Sequence, residues 1–194
     1  MTIKTAFVFL AIFAFSLSES DEYLKIFKES RLEEDLKEKI EVVYPRAIKE
    51  YIDFIKKYPE SHLVDDAKLR IAEFYNLTAA KAGEKELFPD IKFSDDWRGE
   101  ANKWLKDIMA NHPNDKISDP GSGQETGEPT AAFALYYLYV WNFRDPKYAK
   151  ELLEKYPHSQ PASWIRENAS RPRGLFSLNA CASRRSYWNS IRAK

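Results

Sequence analysis

Ala47-Ile48-Lys49-Glu50-Tyr51-Ile52-Asp53-Phe54-Ile55-Lys56-Lys57-Tyr58-Pro59-Glu60-Ser61 is the stretch whose reading decides the fold. Apolar residues at 47, 48, 51, 52, 54, 55 and 58 recur at helical spacing and form one stripe. Lys49, Glu50, Asp53, Lys56 and Lys57 cover the other side. Pro59 has no N–H to donate and its ring clashes with the preceding turn, so the helix stops there and the chain turns. The segment is an amphipathic helix with a built-in end.

The same phrase recurs twice. Ala101 runs through Trp104, Leu105, Ile108 and Met109 to His112-Pro113, with the same twelve-residue step from Ala to Pro. Ala149 runs through Leu152 and Leu153 to Tyr156-Pro157, followed by His158-Ser159. Aligning the three prolines superposes Tyr51, Leu105 and Ala149, then Phe54, Ile108 and Leu152, then Ile55, Met109 and Leu153. Between the copies the periodicity predicts partner helices at 63–79 and 130–143. Both are apolar on more than one side, as a helix sandwiched between neighbours must be. Pro129 and Asp145-Pro146 mark helix starts. An opening helix is expected at 22–43 and a short closing one at 160–169.

This alternation resembles the tetratricopeptide superfamily. Tyr58-Pro59-Glu60-Ser61, then Asp65-Asp66-Ala67, then Ile71-Ala72-Glu73-Phe74-Tyr75 is similar to its bacterial envelope group, of the outer-membrane-assembly lipoprotein and Tol–Pal coordination protein type. The resemblance covers residues 22–169 and is strongest in 44–79. It implies an all-α fold, a short α-solenoid of antiparallel helix pairs with about seven helices at irregular spacing. Two insertions, 81–95 and 114–128, interrupt the usual ~34-residue period. The second, rich in Gly, Pro and Ser, reads as a mobile loop.

The ends of the chain differ from its body. Met1–Lys4 is short and basic, residues 5–17 are an almost unbroken apolar run, and Ser16-Leu17-Ser18 offers small residues before Glu19 and Asp21. That order is a secretory signal peptide over residues 1–18, and the run is too short to span a bilayer as a helix. The lone Cys181 lies far from this segment, so no lipid-attachment cysteine follows it, and no internal disulfide can form. The expected product is exported, periplasmic or secreted, with a domain at 19–170 and a basic tail at 171–194 that has no helical period. Residues 19–170 carry 23 bases against 30 acids, which argues against nucleic acid as the partner.

Little in the sequence points to catalysis. His62, His112 and His158 each sit beside a repeat proline, held about one helix pair apart, and read as turn residues rather than metal ligands. No HExxH, GxSxG or phosphate-cradling loop occurs. Asp65-Asp66 reads as a pair of first-turn acids favoured by the helix dipole. The aromatic stretch from Tyr136 to Phe143 reads either as core filling or as the lining of a groove. The resemblance implies that the first helix of each pair lines that groove, which makes Arg70, Glu73, Asn76, Tyr137, Trp141 and Asn142 its candidates. The resulting expectation is a non-catalytic module, without cofactor or metal, that binds a protein or peptide of the cell envelope. The rivals are a glycan or peptidoglycan binder using the Tyr/Trp cluster, and a hydrolase with its site in the inserted loops.

Overall fold

A computed structural model of the chain describes residues 19–30, 36–82, 96–119 and 123–170. The expected signal peptide, most of the first insertion and the basic tail lie outside the described residues. The chain is mainly helical, in agreement with the all-α expectation. Helix α1 covers 19–29. Helix α2 (Leu36–Glu38) passes through a π-helical turn, Lys39–Val43, directly into α3 (Tyr44–Lys57). Then come α4 (Val64–Ala82), α5 (Trp97–Asn111), α6 (Thr130–Trp141), α7 (Pro146–Lys155) and α8 (Gln160–Ser170). Among the described residues, no helix is long and apolar enough to cross a membrane.

The three proline-terminated helices end alike. Tyr58, His112 and Tyr156 have φ of −129°, −131° and −130° and ψ of 61°, 45° and 53°, outside the α region that a following proline disfavours. Each gives its N–H to the carbonyl four residues back, on Phe54, Ile108 and Leu152. Those three acceptor residues are also the ones that superpose in sequence, and all are fully buried.

Consecutive helices from α3 to α8 pack side by side, and α4 touches α6 as α6 touches α8. Two apolar clusters result. One joins α1, α3 and α4 through Tyr23, Tyr51, Phe54, Leu63 and Ile71. The other joins α4 to α8 through Leu69, Leu105, Leu135, Leu152 and Ile165. Tyr75 and Trp104 pack against both, so the clusters are continuous.

The second insertion holds regular structure. Strand β1 (Lys116–Ser118) pairs antiparallel with β2 (Glu125–Pro129), with Lys116 opposite Pro129, Ser118 opposite Glu125 and an irregularity between. Ile117 plants the hairpin in the core, and Thr126 Oγ1 donates to its carbonyl at 2.9 Å. A loop reading from Gly, Pro and Ser content misses this because the anchor is a single apolar residue. Helix α6 also stops short of the expected end at 143. Phe143 and Arg144 both take left-handed backbone (φ 55° and 61°), and Phe143 stands 89% exposed.

Candidate binding site

Two of the three groove candidates on α4, Arg70 and Glu73, share one stripe with Asp66 and Leu77, spaced four, three and four residues apart. Arg70 is only 2% exposed, and a buried guanidinium requires a counter-charge. It donates from Nη1 to Glu73 Oε2 at 2.7 Å and lies 5.5 Å from the centre of the Phe27 ring of α1. The other Glu73 oxygen accepts from the Tyr137 hydroxyl at 2.8 Å. Tyr137 in turn stacks on Trp141, with centroids 4.7 Å apart and planes 16° from parallel. Four of the six candidates thus form one continuous chain of contacts.

That chain runs through the interior. Phe133, Tyr136, Tyr137 and Trp141 are all buried, so the aromatic face of α6 fills the stack and does not line an open groove. Asn142 is tied up with Asn102, each amide donating to the other at 3.0 and 3.1 Å, and also caps the Leu138 carbonyl. Asn76 is half-buried, one residue off the Arg70 stripe.

Arg70 and Glu73 reach a cavity among the described residues. It measures about 290 Å³ and is walled by Phe27, Ser30, Lys39, Tyr44, Phe74 and Leu77. Leu77 stands at its edge, 44% exposed. The π turn shapes the wall. Tyr44 N–H bonds the Lys39 carbonyl five residues back, which brings side chains five apart close to one face, where α-helical winding would separate them. Lys39 and Tyr44 therefore face the cavity together. Lys39 is half-buried and makes no ion pair with a described carboxylate. The resemblance, through its groove-lining helix, points to Arg70 and Glu73. Lys39, Tyr44 and Phe27 left no local signal, since a π turn has no clear sequence signature.

A second polar cluster sits at the N-terminus of α4. Asp65 and Asp66 are both fully buried, and Asp66 Oδ2 accepts the Ser118 N–H of the hairpin at 3.0 Å. Burial pushes the Asp65 carboxyl up to about 6, against a lowering by the nearby Thr130 hydroxyl. Burial and then the Asp65 charge push Asp66 well above the ordinary carboxylate range, with Arg70 opposing. Beside the pair, Lys68 lies 2.6 Å from Asp107 Oδ2 and 2.7 Å from His112 Nε2, while His112 Nδ1 lies 2.7 Å from Asp115. With Lys68 donating, His112 accepts at Nε2 and donates from Nδ1–H to Asp115. The dipole reading of Asp65-Asp66 named their place in the first turn and missed their burial. His112 is thus more than a turn residue, while His62, among the described residues, approaches the Gly123 carbonyl at 3.4 Å. Among the described residues, no three His, Cys, Asp or Glu side chains converge to hold a metal ion.

Comparison with known proteins gives no matching family model, no matching curated protein and no matching solved structure.

Proposed function

We propose that the chain is a non-catalytic, exported interaction module of tetratricopeptide-like type, holding a protein or peptide partner of the cell envelope in the cavity around Arg70 and Glu73. The observation that carries this reading is the composition of that cavity. Phe27, Tyr44, Phe74 and Leu77 offer apolar contact, while Arg70 and Lys39 supply directional charge. At about 290 Å³ it lies at the lower edge of the roughly 300–1,000 Å³ typical of small-molecule pockets, which suits one bulky side chain of a larger partner. Because the α6 aromatics are consumed by packing, recognition moves to this wall of α4. Both Glu73 oxygens already accept hydrogen bonds from below, so Glu73 orients Arg70 and the net charge offered to a partner is positive.

Peptides selected from a random displayed library against the whole chain provide the test, with affinities measured by calorimetry. Leu77→Asp at the rim and Lys39→Glu in the wall are expected to weaken binding at least tenfold. Lys150→Ala, on the exposed side of α7, is expected to leave it unchanged. Failure to select any peptide, or equal affinity for the rim variants and the parent, would sink the reading.

A further inference from the structure

The joint between the hairpin and α4 contains more buried polar atoms than it satisfies. Both carboxylate oxygens of Asp65, Oδ1 of Asp66, the Ser118 hydroxyl and the Thr130 hydroxyl are all shielded from solvent and make no hydrogen bond among the described residues. They come from three elements, α4, β1 and the first residue of α6, and meet where those elements converge. The Thr130 hydroxyl lies near Asp65 and the Ser118 hydroxyl near Asp66, but neither contact has hydrogen-bond geometry. Leaving a buried polar group unmet costs about 1–3 kcal/mol, and more if it is charged. Two adjacent carboxylates cannot both stay ionised in so dry a place. A carboxyl that keeps its proton needs no counter-charge and can itself donate to its neighbour.

We propose that the hairpin is held on α4 only while the buried Asp65-Asp66 pair keeps a proton, and that loss of this proton loosens the β1 end of the hairpin. Every charged or titratable neighbour enters the balance. On α4, Arg70 favours ionisation of Asp66, and Lys68 lies two and three residues beyond the pair. From the turn after α5, Asp115 opposes ionisation of Asp65, and His112 would favour it only in its protonated form. From α1, the buried Tyr23 hydroxyl faces Asp66, with Tyr51 of α3 beside it. Arg70 is already engaged by Glu73, so it does not neutralise a second carboxylate fully. The direction follows. Both groups hold protons more tightly folded than unfolded, so the joint is intact in mild acid and weakens as pH rises through neutrality. The far end of the hairpin is tied separately, because Glu128 accepts the Gln160 N–H of α8 at 3.1 Å. Opening is therefore local to β1.

Amide hydrogen exchange on the full chain, read residue by residue between pH 5 and pH 8 and corrected for intrinsic rates, tests this. The Ser118 amide is expected to lose at least tenfold protection at pH 8 relative to pH 5, while amides in the middle of α6 keep theirs. Asp66→Asn retains an acceptor for the Ser118 N–H and should reduce the pH dependence to the part that Asp65 contributes. Asp65→Asn should reduce it to the part that Asp66 contributes, and either variant suffices if the other does not fold. Carboxyl carbon chemical shifts of the unaltered protein give an independent reading, with at least one of the two aspartates titrating above the usual range. Constant Ser118 protection, a parallel loss in α6, an undiminished pH dependence in the variants, or two ordinary aspartate titrations would each overturn the proposal.

Discussion

Helices α4 and α6 occupy the same kind of place and are built from different chemistry. Each lies between two sequence neighbours, α4 between α3 and α5 and α6 between α5 and α7, and they touch one another. Residues 63–72 and residues 130–138 are buried without a break. In α6 that run has no charged side chain, and apolar and aromatic groups supply nearly all the contact. In α4 it contains Asp65, Asp66, Lys68 and Arg70. The difference teaches where function can reside. Helix α6 is stabilised by area removed from water, at roughly 1.5–3 kcal/mol for each fully buried large apolar side chain. Helix α4 carries charges whose desolvation must be offset by named partners, and those partners reach the cavity on one side and the hairpin on the other.

The comparison breaks most visibly at Arg70. Arg70→Ala leaves Glu73 without its ion-pair partner and removes a counter-charge from Asp66, so a loss of about 3–5 kcal/mol is expected in denaturant unfolding. Combining Arg70→Met with Glu73→Gln should recover much of that loss. An equally large deficit in the double variant would show that packing, not charge, sets the cost. Leu135→Ala, the matched change in α6, should cost on the order of 3 kcal/mol with no dependence on pH or salt, since it removes only apolar contact. The smallest effect has the opposite sign. Asp66→Asn should leave stability unchanged at pH 5 and raise it by about 1 kcal/mol at pH 8, because it removes a buried carboxyl that holds its proton more tightly folded than unfolded. A loss at pH 8 would mean that the Asp66 carboxylate is a net stabiliser and would reverse the reading of α4.

Several parts of this comparison are visible in the chain before folding. Alternation at helical spacing with Tyr58-Pro59, His112-Pro113 and Tyr156-Pro157 at the ends predicts three helices, and the structure stops them at Lys57, Asn111 and Lys155. The apolar run in 130–143 predicts a helix apolar on more than one side, and residues 130–138 are buried without a break. Arg70 and Glu73 are candidates through the resemblance alone, which implies that the first helix of each pair lines a groove. Tyr137 and Trp141 are identifiable as large aromatics, but nothing local distinguishes a groove lining from core filling. Their place in the interior depends on what α4 and α8 present to them, as Glu73 does to Tyr137 and Trp164 to Tyr136.

By itself the sequence determined the three proline-ended helices α3, α5 and α7 and where they stop, because proline sterics and amphipathic spacing act within a few residues. Tertiary structure alone decided that Asp65 and Asp66 lie in the dark beneath Ser118, fifty-two residues from Asp66, and that Ile117 turns an inserted loop into an anchored hairpin. It also decided that a π turn sets Lys39 and Tyr44 on the rim of a cavity floored by Arg70. Burial of a charge is a property of everything that surrounds it, and most of what surrounds these charges comes from distant parts of the chain.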